Sequence, residues 1–255
     1  MRSVRGARTR RLQETWLAAV DRAVGGAPVA SVLYSGGLDS SLVARSARDR
    51  CALRLVAIGT VGSFDLRQAE SGARALDMEV DRRIIGEREI RGVLQDWKEE
   101  LTGLPEPSFS VTVAMILALQ ASPRGRTLCG QGADELFLGY AHFRGLGPDE
   151  AVARRRSDLS WLLESDWPRA VRIARRLGQD LWSPFVDPNL VDLVLGEDIA
   201  DYLPVGAQHK SVLRGLAEAC SVPSALAARP KKALQYGSGV AAIVRSIRKG
   251  SPAPH

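Results

Sequence analysis

The chain has 255 residues, 45% hydrophobic and 25% charged, which is enough to bury a full core and argues against disorder. Its 35 Lys and Arg against 29 Asp and Glu leave a net charge of +6, a balance that suits either a nucleic-acid partner or a solvated basic face. No apolar run approaches the roughly 18 residues of a membrane span, and the scattered Cys51, Cys129 and Cys220 lack CxxC spacing, so a disulfide framework and a thiolate metal site are not expected and a reducing cytoplasm is.

The opening MRSVRGARTRR carries five arginines and no acid and reads as a ragged basic tail. Leu12, Trp16, Val20 and Val24 then recur at helical spacing, predicting an amphipathic helix that stops at Gly25-Gly26. A strand over Pro28–Tyr34 breaks at Ser35-Gly36-Gly37 and restarts as a helix after Leu38-Asp39-Ser40-Ser41. A second strand, ALRLVAIGT, precedes a helix from about Asp65 to Leu76; a third, MEVDRRII, leads to a helix around Ile90–Leu101 and the Pro105-Glu106-Pro107 break. The nearly all-apolar stretch Val111–Gln120 predicts a buried helix, followed by strand RTLCG. Strands alternating with helices imply an α/β fold, a parallel sheet with helices on both faces and ligands at the carboxyl ends of its strands. From about residue 149 the pattern is mainly helical, so one domain with a nucleotide-binding half (about 1–148) and a mainly helical half (about 149–255) is expected.

The most telling stretch is SGGLDSS. Backbone N–H groups at the turn and the positive end of the following helix form a cradle for an anion such as pyrophosphate. Gly36 and Gly37 permit close backbone approach, and Ser35, Ser40 and Ser41 add hydroxyls. Bare phosphate would repel Asp39, which suggests that it holds Mg²⁺. A kinase-type phosphate loop needs a Lys that is absent here; SGGLDSS instead resembles the loop of ATP pyrophosphatases, which split ATP into AMP and pyrophosphate. A second motif, LCGQGADELFLGY (Leu128–Tyr140), follows a predicted strand. Gly130 and Gly132 again permit close approach. Asp134 has two readings: a partner of Asp39 on Mg²⁺, or a first-turn acid facing the helix dipole.

SGGLDSS, GQGADELFLGY, SPFVD (Ser183–Asp187), HKSVLR and RPKKALQYGSG occur in the order seen in asparagine synthetases, and the chain is similar to their synthetase domain over nearly all its length beyond the first helix. The resemblance implies an adenine nucleotide alpha-hydrolase-like fold and ATP- and Mg²⁺-dependent adenylation of a small carboxylate substrate, then attack by ammonia or another amine. Lys231 matches the lysine that stabilises charge at the reacting centre. Lys210 and Arg214 lie one helical turn apart, either as a cationic face towards phosphate or as a solvated face. Asp166 and Arg169 match an acid-Arg pair, read as a base or orienting group or as a plain ion pair. Ile58, near the carboxyl end of the second strand, joins the expected nucleotide-binding set. Asp187 is expected to pin the Pro-Phe turn.

The departures bear on the acceptor. Glutamine-dependent members begin with a catalytic Cys after Met and a long amidotransferase domain, whereas here residue 2 is Arg2 and the loop arrives at Ser35, so a separate ammonia or amine donor is expected. Gln131 stands where asparagine synthetases carry Glu and lactam-forming relatives resemble Tyr. A Gln is no base at neutral pH. Leu138 replaces the first Gly of GGY, and Pro107–Val111 lacks the Arg and Thr-rich aspartate segment. Altered acceptor chemistry is therefore expected. Two alternatives stand beside it: a tRNA-modifying pyrophosphatase, which the basic clusters (Arg154–Arg156, Arg169, Arg172, Arg175, Arg176) favour and the lack of paired cysteines opposes, with Cys129 as a lone sulfur carrier; and an ATP-binding scaffold without catalysis.

Overall fold

Strands β1 (Val29–Leu33), β2 (Ala52–Gly59), β3 (Val80–Ile84), β4 (Gly125–Leu128) and β5 (Gln179–Trp182) pair in parallel throughout, in the order β3-β2-β1-β4-β5. The computed structural model describes residues 2–206, 208–227 and 237–249. The chain runs outward from β1 to β2 and β3, then crosses to lay β4 and β5 on the other side, so the direction of winding reverses between β1 and β4. A parallel sheet opens its ligand crevice at such a reversal, beyond the carboxyl ends of the strands. The turn after β1 carries SGGLDSS, and the turn after β4 carries GQGADELFLGY.

Side chains alternate across the sheet, as the two-residue strand period requires. Ala30, Val32, Leu55, Ala57 and Leu128 face one apolar cluster, while Ile58 and Cys129 face another. The first cluster is covered by α1 (Arg2–Val24), α2 (Leu38–Ala47) and α3 (Phe64–Ala75). Within it Trp16 is fully buried, its ring 4.7 Å from Phe185 and its indole N–H donating to Ser46 Oγ at 2.8 Å. Burying so large a ring contributes about 2–3 kcal/mol, and the hydrogen bond removes the cost of hiding its polar atom.

The second cluster lies under α4 (Glu87–Asp96), α5 (Lys98–Leu101), α6 (Ser108–Ala121), α9 (Trp167–Arg176) and the last helix, α13 (Val240–Lys249). Helix α6 is apolar all round because it is covered on every side, as its sequence predicts. Glu89 accepts from the Gly86 N–H at 2.9 Å, and Glu150 does the same for Gly147 at 3.1 Å, fixing the starts of α4 and α8 (Pro148–Trp161).

Two features differ from the expected elements. The basic opening is the start of α1 rather than a loose tail: arginine is a good helix former, and Arg8 anchors the turn by pairing with Glu197 at 2.7 Å and with Asp201. The mainly helical second half also returns to the sheet as β5, beside β4. Among the described residues no helix is long and apolar enough to cross a membrane.

Candidate active site

Gly36 is held by two constraints. Its φ of +72° is one that glycine adopts without cost, and a Cβ there would run into the Gln68 carbonyl of α3. Close packing of the loop against α3 therefore depends on the missing side chain. Ser35 and Ser40 face each other, their hydroxyls 3.2 Å apart, and Ser40 also donates to the Gly37 carbonyl at 3.3 Å. Ser41 is tied to Tyr34 at 3.1 Å. Gly37 and Asp39 flank Leu38 at the start of α2, where the helix's first N–H groups point into the crevice.

The loop after β4 meets this one directly. A Cβ on Gly130 would lie 3.0 Å from the Asp39 Cβ, so glycine lets the two motifs touch. Gly132 has φ +98° and packs against Phe185 and Val186. Asp134 follows in α7 (Ala133–Leu136). The two carboxylates converge on one cation: Lys210 Nζ donates to both Asp39 oxygens, at 2.6 and 2.7 Å, and lies 2.9 Å from Asp134 Oδ1. Lys210 is 4% exposed and adopts φ +59° immediately before α11 (Ser211–Ala219). Arg214, one turn on, is held to the His209 carbonyl at 3.0 Å; burial pulls it below the ordinary arginine value, partly opposed by Asp39.

Gly139 was not singled out by the sequence reading, yet a Cβ there would run into the Asp134 carboxylate and the Lys210 side chain. The departure at Leu138 is a backbone matter. It is fully buried with φ +54°, a conformation that costs a side-chain-bearing residue about 1–2 kcal/mol.

Gln131 faces the other way, towards a small cavity of about 20 Å³ that it lines with Ser108, Thr112, Met115, Asp166 and Arg169. Its Oε1 is buried without a hydrogen-bond partner among the described residues, while its backbone carbonyl accepts from Ser183 Oγ at 2.6 Å. Asp166 ends a π turn, Leu162–Asp166, that leads into α9. Arg169 donates to Asp166 Oδ1 at 2.7 Å and to Ser165 Oγ at 2.8 Å. The pair belongs to this cavity and not to open surface, because Arg169 is buried. Ser108 comes from the segment whose composition departs from the aspartate signature, and Thr112 follows directly after its last residue, Val111.

The remaining expected residues fall as follows. Ile58 is buried, its side chain in the second apolar cluster. Lys231 lies outside the described residues. The far end of its motif is described: the Ser238 carbonyl accepts from the Thr60 N–H, just beyond β2, at 2.8 Å. Asp187 caps α10 (Pro188–Leu195), accepting from Asn189 and Leu190 N–H at 3.0 and 3.3 Å, and binds Arg22 through both oxygens. Burial pushes its carboxyl up, but Arg22 and the two N–H groups outweigh that and hold it below the ordinary value. Cys129 is buried and its thiol is pushed up to about 12 by burial, so it is not a thiolate at neutral pH.

Among the described residues no cluster of three or more acidic, His or Cys side chains is placed to hold a metal. Asp39 and Asp134 do suit Mg²⁺, which commonly takes one or two protein carboxylates and completes its shell with water and phosphate oxygens.

The family model for asparagine synthase matches residues 11–148 and 147–249. A putative asparagine synthetase [glutamine-hydrolyzing] 1 of Methanocaldococcus jannaschii is 28% identical over 86% of this chain and 47% of its own. The mouse asparagine synthetase [glutamine-hydrolyzing] is 30% identical over 84% of this chain and 40% of its own. The chain thus spans less than half the length of these relatives. In fold it is similar to NMN synthetase from Francisella tularensis, covering 98% of this chain and 87% of that one at 13% identity and a TM-score of 0.45.

Proposed function

The chain belongs to the asparagine synthase family, and from that premise we propose that it is an ATP-dependent, AMP-forming carbon–nitrogen ligase. In this reading an acceptor carboxylate oxygen attacks the α-phosphorus of ATP and expels pyrophosphate. Ammonia or another amine then attacks the acyl carbon of the adenylate and releases AMP. The observation that carries the reading is the meeting of Asp39 and Asp134, from two separate motifs, on Lys210 at the reversal point of the sheet.

The backbone of Gly36 and Gly37 and the hydroxyls of Ser35, Ser40 and Ser41 would cradle the phosphates, with Gly130, Gly132 and the backbone at Ile58 bordering the nucleotide. Asp39 and Asp134 would hold Mg²⁺, which when bound neutralises and orients the ATP phosphates. Lys210 keeps the two carboxylates from repelling each other and offers an ammonium to the departing pyrophosphate. Lys231 would stabilise charge on the reacting phosphorus and acyl centre. Its assignment rests on the motif.

On the acceptor side Gln131 contributes a hydrogen-bond acceptor that no other described residue satisfies, and leaving such a group unpaired costs about 1–3 kcal/mol. A substrate N–H or O–H would recover that cost. Asp166, oriented by Arg169, is the carboxylate at hand to take the amine proton. Because Gln131 cannot itself take a proton and the 107–111 segment departs from the aspartate pattern, the acceptor is a small carboxylate other than aspartate. The nitrogen donor is free ammonia or a separate donor protein.

The tRNA-modifying alternative finds less support. Arg8, Arg22, Arg154, Arg169 and Arg176 form ion pairs inside the protein, and the thiol of Cys129 is held protonated. The three free thiols agree with a reducing compartment such as the cytoplasm.

The deciding experiment incubates the protein with ATP, Mg²⁺, ammonium and a panel of small carboxylates that includes aspartate, with bulk tRNA in a parallel arm, and identifies the nucleotide product. AMP and pyrophosphate in equal amounts, dependent on a carboxylate, are expected. ADP and phosphate, or AMP release that depends on tRNA alone, would overturn the proposal.

A further inference from the structure

Among the described residues many of the arginines that make this chain basic pair with acids, but no acid pairs with Arg155. It sits in the run Arg154-Arg155-Arg156 on α8, where Arg154 reaches back to Asp158 at 3.0 Å. Arg155 points inward and is only 3% exposed. Its Nε and Nη1 are buried and have no hydrogen-bond partner among the described residues. One face of the guanidinium covers the ring of Tyr202, 5.6 Å from its centroid. The nearby carboxylate of Glu197 is already engaged, by Arg8 at 2.7 Å and by the Tyr202 hydroxyl. A buried guanidinium without an anion is expensive, by several kcal/mol even after relaxation. Burial accordingly pulls Arg155 below the ordinary arginine value.

The same side chain lines a cavity of about 240 Å³, together with Val152, Arg156, Leu195, Glu197 and Ile199. None of these belongs to the loops at 35–41 or 130–134 or to the Gln131 cavity. Its walls are of three kinds: Val152, Leu195 and Ile199 are apolar, Arg155 and Arg156 are cationic, and Glu197 adds a carboxylate that Arg8 and the Tyr202 hydroxyl already engage. Arg155, Arg156 and Arg8 set against Glu197 and Asp201 leave a local balance of +1, which suits a monoanion better than a dianion.

We propose that this cavity is a second binding site, separate from the nucleotide crevice, for a small organic monocarboxylate with an aliphatic body. Arg155 takes the carboxylate through its unpaired N–H groups, and the aliphatic part lies on Val152, Leu195 and Ile199. The ligand supplies the missing counter-charge. The site depends on neither ATP nor the acceptor.

Titration calorimetry on the full chain tests this, using hexanoate for a free aliphatic acid, N-acetyl-leucine for a peptide end of the same chemistry, and inorganic phosphate as a dianion-rich control. Saturable binding of hexanoate or N-acetyl-leucine is expected, at least tenfold tighter than phosphate, and the tighter of the two names the source. Arg155→Met should weaken that binding at least tenfold and leave the unfolding temperature unchanged or higher, since an unpaired buried charge is gone. Arg155→Lys, which keeps the charge but not the planar fork, should weaken binding by a smaller factor and serves if Arg155→Met does not fold. No saturable heat with either acid, tighter binding of phosphate, or undiminished binding in both variants would overturn the proposal.

Discussion

The two sides of the candidate active site are built on opposite plans. On the nucleotide side Asp39 and Asp134 close on Lys210, and the loop hydroxyls bond to one another and to the loop backbone. On the proposed acceptor side Gln131 presents a buried oxygen that no described residue pairs, beside an acid-Arg pair. A network complete in the free protein is preorganised and costs little to use, whereas an open acceptor waits for one particular donor. Under the proposed function, phosphate handling is then built into the scaffold, and the choice of acceptor is delegated to a few exchangeable side chains.

Substitutions on the closed side should have the largest effect. Asp39→Ala or Asp134→Ala is expected to lower pyrophosphate release by roughly 10²–10³-fold or more, because each removes part of the cation-holding pair and frees Lys210. Single-turnover assays with labelled ATP measure this, and activity within a few-fold of the parent would show that the pair is structural only. The open side should yield a smaller effect of a different kind. Gln131→Glu is expected to change the rate by no more than about tenfold with the native acceptor and to give only a weak gain in asparagine from aspartate and ammonia, read by mass spectrometry. Robust asparagine formation by the unmodified chain would erase the contrast on the acceptor side. The smallest effect belongs to neither side. Asp187→Asn should lower stability by up to about 1 kcal/mol through loss of the charged pairing with Arg22, while the amide oxygen still caps α10, with AMP formation unchanged. Its carboxyl is held low in the fold, so its contribution is complete above the ordinary carboxylate value near pH ~4 and is lost as the pH falls through the lowered one. The variant's unfolding temperature should therefore fall less steeply in acid than that of the parent.

Four of the five strands and the main helices of the first half were legible because apolar runs and glycine breaks mark them. β5 was not: its four residues follow an Arg-rich helix, and its Trp182 is half-exposed at the sheet edge. The helical opening was missed because its arginines show no apolar periodicity; the pairing of Arg8 with Glu197 and Asp201 crosses nearly the whole chain. In the site, spacing and motif order singled out Asp39, Asp134 and Lys210, but no sequence pattern measures a distance between residues 171 apart, so their meeting was visible only in three dimensions. Gly139 was passed over as the ordinary half of a broken GGY, although the room it leaves is what admits Lys210 to Asp134. Arg155 reads as one of three like charges, and nothing in the sequence says which of the three is buried.

Gly36 carries one mechanical consequence. With no side chain between them, the loop backbone and the Gln68 carbonyl are in direct contact, so loop and α3 behave as a single lever and neither slides without the other. Under the proposed function a nucleotide would meet this loop as a fixed jaw, facing Leu138 and Lys210, which both sit in left-handed backbone conformations across the crevice.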